Sequence, residues 1–401
     1  MNNRAQQEGA GATALQCTSL VERLLFGRPM TDVPGLLPGL LLAALVVVAS
    51  ILVADYVNSS LGFKGLFSYI MTAIVIGLVF GNAFEIPAFF APGISFCLTK
   101  LLRLGIIMMG IRLSVFDVAR IGVWGVPIVL ICIATGLLLT TFFTRLLRLP
   151  DRLGTLMALG TSICGATAIV AAAPAIKASD EEVAYAVANI TVFGIVAMLV
   201  YPYLANVMFA GNVVMAGLFQ GTAIHETAQV AGAALIYDQT FGVITRPTAA
   251  DVAIVIKLVR NVFLAAVIPL MAYIYARRVA SQAGGSGSGG RGGLAWTFFP
   301  VFILGFIAMA VIRSVGDAGV QKGGLALGIW ERPDWSGSTA LVSDLAGYAL
   351  AMAMAGVGLG TRLKVLKGLG IKPFYVGLFA SLVVGVASAL AVLSLGGFVR
   401  I

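Results

Sequence analysis

Residues 153–178 read LGTLMALGTSICGATAIVAAAPAIKA, with Lys177 as the one charge in the run. A bilayer core of roughly 30 Å takes about 20 apolar residues in a helix, so the stretch is long enough to cross a membrane. Its centre is unusual for a plain span. Gly160-Thr161-Ser162-Ile163-Cys164-Gly165-Ala166-Thr167-Ala168 puts glycines and hydroxyls together where a lipid-facing helix would carry large apolar side chains. That density predicts a helix interrupted in mid-membrane. An interruption bares the N–H groups at the start of the second half-helix, and these, with the positive end of its dipole, hold anions. The competing reading is close helix packing, the commonest use of small residues in membrane helices.

Outward from this stretch the chain repeats the apolar theme. Of 401 residues, 60% are hydrophobic and 11% charged, with a mean hydropathy of +1.01, far from the soluble norm of about a quarter charged. Eleven spans follow, at 34–57, 63–81, 95–113, 122–144, 153–178, 181–207, 212–238, 251–276, 296–315, 339–361 and 373–397. The expected fold is therefore an all-α integral membrane protein of eleven transmembrane helices. The net charge of +9 does not point to nucleic acid, because the bases cluster between apolar stretches. Thirteen of the 26 fall on the amino-terminal side and nine on the other, which places the amino terminus in the cytoplasm and the carboxyl terminus outside. The tail 1–33 lacks the features of a signal peptide and reads as cytoplasmic. The segment 283–293, AGGSGSGGRGG, reads as a flexible loop. The four cysteines have neither disulfide nor zinc spacing, so neither metal nor cofactor is expected.

A repeat adds to this. Lys100-Leu101-Leu102-Arg103 in span three recurs as Lys257-Leu258-Val259-Arg260 in span eight, pairing five helices (63–207) with the next five (212–397) after one extra helix at 34–57. An odd number of helices per half makes the halves upside down, the architecture of many secondary transporters. A second likeness falls outside that register: Gly160-Thr161-Ser162-Ile163-Cys164 resembles Gly221-Thr222-Ala223-Ile224-His225.

Ionisable residues inside membrane spans are costly and mark function by default. Span seven carries the sole histidine in Thr222-Ala223-Ile224-His225-Glu226-Thr227-Ala228-Gln229, and helical spacing would put His225 and Gln229 on one face. Span eight offers Lys257, Arg260 and Asn261, span three Lys100 and Arg103, and span six Asn189. Span ten ends Ala355-Gly356-Val357-Gly358-Leu359-Gly360-Thr361, a second glycine-rich run. The bland readings are an interior histidine for His225 and snorkelling or paired cations for Lys100, Arg103 and Arg260.

The motifs Leu101-Leu102-Arg103-Leu104-Gly105-Ile106, Ser162-Ile163-Cys164-Gly165-Ala166, His225-Glu226-Thr227-Ala228-Gln229-Val230, Lys257-Leu258-Val259-Arg260 and Leu350-Ala351-Met352-Ala353-Met354-Ala355, in this order, resemble the YeiH-like sulfate exporter family, grouped with the bile acid, arsenite and riboflavin transporter superfamily. The resemblance covers nearly all of the chain after residue 34. Gly160-Thr161-Ser162 departs by one hydroxyl swap from the Gly-Ser-Ser of some members. It implies a ten-helix inverted repeat plus an amino-terminal helix, with two discontinuous helices crossing at the centre, for which spans five and ten are the expected pair. It also implies a bacterial inner-membrane transporter of sulfate, sulfite or an organosulfonate; the family's name suggests that substrate without establishing it.

The expected mechanism is alternating access. Gly160, Thr161, Ser162, Cys164, Gly165, Thr222, Lys257, Arg260, Gly358 and Gly360 line the anion site, and His225, Glu226 and Gln229 carry a coupling proton. Sodium coupling is the nearest variant, and a passive anion channel or a non-transporting sensor belongs to another class. An intramembrane metalloprotease fails on its ligands: His225-Glu226-Thr227-Ala228-Gln229 lacks the second histidine of H-E-x-x-H. No enzyme activity is expected. The expected partners are the small anion, a proton or sodium ion, the lipid bilayer and a second copy of the chain joined through the first helix.

Overall fold

The structure, a computed structural model, describes residues 30–60, 67–282, 300–362 and 371–399. The tail as far as residue 29 and the Gly/Ser loop 283–293 lie outside the described residues. In chain order the helices are α1 (Leu37–Ser60), α2 (Tyr69–Ala83), α3 (Ala88–Arg112), α4 (Val115–Leu146), α5 (Asp151–Ser162), α6 (Ala166–Ala172), α7 (Asp180–Met208), α8 (Val213–Ala223), α9 (Thr227–Thr240), α10 (Ala249–Val262), α11 (Leu264–Gln282), α12 (Phe302–Gly323), α13 (Arg332–Gly360) and α14 (Ile371–Leu395). One two-stranded ribbon, Leu325–Ala326 with Trp330–Glu331, joins α12 to α13.

Helices dominate because backbone polar groups in hydrocarbon must be satisfied within their own segment. Among the described residues seven helices are long and apolar enough to cross a membrane, and α10 with α11, bent by 41°, makes an eighth. Each of the eleven apolar stretches contains helix. The starts are set by hydroxyl caps: Ser114, Ser179 and Thr248 each form a capping box with Asp117, Glu182 and Asp251 respectively.

Two compact units result. The first comprises the described residues of Met1–Ile106 and Asp344–Arg362. Its helices meet through glycine. A Cβ on Gly77 would stand 2.8 Å from Ala355 O and one on Gly81 2.7 Å from Leu359 O, while Gly358 lies directly against Ile74 O. Asn82 Nδ2 donates to Thr361 O at 2.9 Å, tying the end of α2 to the residue that follows α13.

The second unit comprises the described residues of Ile107–Ser343 and Leu363–Ile401. Buried α10 runs through it, packed on α8, α9 and α4. Gly217 and Gly221 let α8 approach α10 so closely that added Cβ atoms would fall 2.7 Å from Ala249 O and 2.8 Å from Ala253 O. The start of α10 is pinned twice: the Asp238 carboxylate accepts from the Ala249 and Ala250 amides at 2.9 and 3.0 Å, and Arg112 Nε pairs with Asp251 Oδ1 at 3.1 Å. This fixed start determines where Lys257 and Arg260, further along the helix, are delivered.

The expectation of breaks in spans five and ten needs one correction. Span five is broken, between α5 and α6. Span ten is not: α13 is one α-helix of 29 residues, and Gly358 uses its missing side chain to admit α2. The second break lies in span seven, between α8 and α9. A break frees carbonyl oxygens that need buried donors, and the second unit supplies those donors to span seven.

Candidate functional site

The two breaks fall at matching points of the short likeness in the sequence. In Gly160-Thr161-Ser162-Ile163 and Gly221-Thr222-Ala223-Ile224 the helix ends at the third residue, Ser162 or Ala223. After Ser162 the chain turns through Ile163, Cys164 and Gly165 before α6 starts. Gly165 has φ +65° and ψ −127°, a conformation open to glycine alone. After Ala223 the chain is extended at Ile224 and Glu226, and α9 starts at Thr227.

Each break strands main-chain carbonyls in a buried, apolar place, and two cations from α10 collect them. Lys257 and Arg260, both fully buried, are one turn apart. Lys257 Nζ donates to Ile163 O at 2.9 Å, to Ile224 O at 3.1 Å and to His225 O. Arg260 donates through Nε to Ser162 O at 2.9 Å, through Nη2 to Thr161 O at 2.7 Å, and through Nη1 to Thr222 O and Ile224 O at 2.8 and 3.2 Å. A pair of positive side chains thus caps the negative ends of α5 and α8 together. Buried charge is tolerable only with such full hydrogen bonding. The planar fork of arginine suits the task of reaching two chain segments at once.

The remaining site residues take distinct places. Thr161 Oγ1 donates back to Met157 O at 2.9 Å and lies 3.4 Å from Thr140 Oγ1, and Ser162 Oγ donates to Ala158 O at 2.6 Å. Thr222 Oγ1 meets Ser388 Oγ at 2.7 Å, and His225 Nε2 meets Ser381 Oγ at 3.0 Å. Ser381 and Ser388 are two turns apart on α14, so one face of that helix lines the span-seven break. Glu226 reaches from the second break to the first: its Cγ is 2.6 Å from where a Gly165 Cβ would be. Cys164, in the first break, is a buried free thiol. Gly160 packs on Ile169 and Ile190.

Gln229 does not share a face with His225, because His225 lies in the break and helical spacing begins only at Thr227. Instead Gln229 Nε2 donates to Thr191 O at 3.0 Å. Asn261 Nδ2 donates to Thr227 Oγ1 at 3.2 Å, beside the start of α9, and Asn189 Nδ2 donates to Pro373 O at 2.9 Å. Gly358 and Gly360 belong to the first unit, as do Lys100, which is half-buried, and exposed Arg103. The Lys-Leu-x-Arg likeness therefore joins two different environments.

Sequence reasoning missed Thr140, Ser381 and Ser388. The signal for the serines was present as hydroxyls seven apart in an otherwise apolar span. No group of three or more metal-ligating side chains occurs among the described residues.

Fold and site together define a multi-pass membrane protein with two interrupted helices held by buried cations. Relatives named as membrane proteins occur in several bacteria. The chain belongs to the family described as Conserved hypothetical protein 698, whose model matches residues 38–377, in agreement with the YeiH-like motifs. It is 32% identical over 368 residues to a UPF0324 membrane protein of Bacillus cereus, covering 90% of this chain and 96% of the relative. It is 34% identical over 371 residues to a UPF0324 membrane protein of Pseudomonas aeruginosa, covering 89% and 94%.

Proposed function

We propose that the chain is a secondary transporter that carries a small sulfur oxyanion or organosulfonate across the bacterial inner membrane by alternating access, as an exporter coupled to protons. The observation that carries this reading is the meeting of two interrupted helices over Lys257 and Arg260 inside an apolar, multi-pass chain. Twelve residues of α5 rise about 18 Å, a little over half of a slab of roughly 30 Å, which supports a break near mid-membrane. Eleven apolar stretches, the amino terminus inside and the carboxyl terminus outside complete the proposed arrangement.

In this reading the oxyanion sits against the amides of Cys164 and Ala166, those of Ile163 and Gly165 being bonded to Leu159 O and Gly160 O, and against the hydroxyls of Thr161 and Ser162, which turn from Met157 O and Ala158 O to reach it. Lys257 and Arg260 act on it through their charge, since nearly all their N–H groups are committed to carbonyls. Glu226 and His225 exchange the coupling proton. A channel would leave the crossing open to water from both sides, and the burial of Lys257, Arg260 and His225 favours a carrier instead.

Proteoliposomes given labelled sulfite, sulfate or a taurine-like sulfonate under an imposed pH gradient supply the test. Saturable, gradient-driven flux is expected. Sodium-dependent flux indifferent to pH would assign the coupling ion to sodium, and unchanged pH dependence in Glu226→Gln would remove the proton role from that residue.

A further inference from the structure

Helix α10 serves as a ruler for the second break, because its 14 residues rise about 21 Å in one direction. Helix α8 runs with it. A Cβ on Gly217 would stand 2.7 Å from Ala249 O and one on Gly221 2.8 Å from Ala253 O, and Ile224 O, just past the end of α8, accepts from Lys257. Helix α9 runs against it. Thr227, at the start of α9, accepts from Asn261 at 3.2 Å, while Asp238, near its end, accepts from the amides of Ala249 and Ala250. The chain therefore enters beside the start of α10, turns at Ile224 to Glu226, and returns to the start of α10. A crossing would carry α9 onward past Val262 to the opposite face.

The first break repeats the pattern at the other end of α7. This helix of 29 residues runs alongside α14: Asn189 Nδ2 donates to Pro373 O at 2.9 Å and, further along both helices, Tyr201 donates to Ser381 O at 3.5 Å. Both limbs of the 213–240 segment lie at its end. The rings of Phe209 and Phe219 are 5.7 Å apart, those of Tyr203 and Phe241 6.2 Å, and Tyr237 donates to Asn206 Oδ1 at 3.4 Å. Both limbs of the 151–178 segment lie at its start. Helix α5 runs from Arg152 to Ser162, whose carbonyl accepts from Arg260, yet Glu182, in the first turn of α7, is again close enough to act on the Arg152 charge. On the way back Gly160 packs on Ile169 of α6 and Ile190 of α7 together.

We propose that 151–178 and 213–240 do not span the bilayer: each is a re-entrant hairpin, one inserted at either end of α7, and their tips meet over Lys257 and Arg260. Irregular backbone at membrane depth is tolerated only where protein covers it. Ile163 and Ile224, at the two tips, are fully buried, and their carbonyls are bonded to the cations. Eleven apolar stretches less two hairpins leave nine crossings, an odd number, so the termini stay on opposite faces. Lys177 moves to the amino-terminal side, and the bases divide fourteen to eight instead of thirteen to nine, a clearer positive-inside signature. Different pieces of chain then close the two faces, 151–178 toward the amino-terminal side and 213–240 toward the other, which is the separation that alternating access needs. The topology rests on helix direction alone and holds whatever solute is carried.

The experiment is labelling of the full-length protein with a membrane-impermeant maleimide, in intact cells and in inverted vesicles. The background carries Cys17→Ser, and Cys97, Cys132 and Cys164 are buried. Four exposed positions receive a cysteine one at a time: Arg148→Cys before α5, Ala175→Cys after α6, Ala210→Cys before α8 and Thr245→Cys after α9. Ala175→Cys is expected to label from the same face as Arg148→Cys and to be lost from the other face, and Ala210→Cys to label with Thr245→Cys. Eleven crossings pair them the other way, Ala175→Cys with Thr245→Cys and Ala210→Cys with Arg148→Cys. Either of those pairings turns that hairpin back into a crossing and overturns the proposal. The comparison is internal, so it reads the same whichever way the whole chain is inserted. Glu181→Cys and Asn212→Cys repeat the test if a variant of the first pair does not accumulate.

Discussion

Lys257 illustrates how a buried charge is kept by backbone rather than by a counter-ion. Replacing it with methionine fills the space but leaves two buried carbonyls, of Ile163 and His225, without this donor at about 1–3 kcal/mol each, while Ile224 O keeps Arg260 Nη1. Lys257→Met should therefore lose on the order of 2 kcal/mol or more, read as a large drop in thermal unfolding temperature in detergent. A drop no larger than that of an average surface substitution would show that the carbonyls find other partners. Ser388→Ala removes two neutral bonds, to Thr222 Oγ1 and a longer one to Phe219 O, and should cost about 1 kcal/mol in the same assay. Gly165→Ala combines a disallowed backbone with a Cβ 2.6 Å from Glu226 Cγ, and should cost at least about 1–3 kcal/mol. At this scale the ionisable residues were legible in the sequence, because charges inside apolar spans are rare. Their partners were not. The acceptors of Lys257 and Arg260 are main-chain oxygens that exist as acceptors only after the helices break, and a sequence shows side chains alone. Ser381 and Ser388 were hidden for another reason: hydroxyls in apolar helices are common and usually satisfy themselves on the preceding turn, as Ser162 does.

Elements were read more reliably than their interruptions. Each of the eleven apolar stretches holds helix, seven or eight of them as helices long and apolar enough to span among the described residues, and glycine with hydroxyl located the break in span five. The same glycine signal misled in span ten, where Gly358 serves the approach of α13 to α2. Span seven breaks at Ile224 with no glycine in the gap, and what distinguishes it is the pair of cations on α10. Glycine composition thus marks either a break or a close contact, and buried donors decide which. The short Gly-Thr-x-Ile likeness proved the better guide to the breaks than the Lys-Leu-x-Arg repeat that suggested inverted halves. Gly221→Leu should separate α8 from α10 and lower thermal stability strongly, because backbone stands 2.8 Å from the new Cβ. Gly347→Ala, with nothing within 4 Å, is the control and should lie within about 0.5 kcal/mol of the wild type. Equal effects of the two would mean that α8 and α10 do not meet through Gly221.

For the whole molecule, composition alone made the membrane class legible, and the distribution of bases gave an orientation by a margin of thirteen to nine. An alkaline phosphatase fused to the carboxyl terminus should be active outside the cytoplasm, while the same fusion in the 145–152 loop should be inactive; the reverse pattern would invert the topology. Substrate, coupling ion and assembly are not written in composition or in helix spacing, because they depend on a few atoms at the crossing. The central claim is that the crossing holds an anion, and anomalous diffraction from crystals soaked in neutral selenite, present there as the singly charged hydrogenselenite, tests it most directly. A selenium peak within hydrogen-bond reach of the Cys164 and Ala166 amides, lost in Lys257→Met crystals of unchanged fold, is the expected result. A saturated selenium site elsewhere in the protein, with the crossing empty, would contradict it.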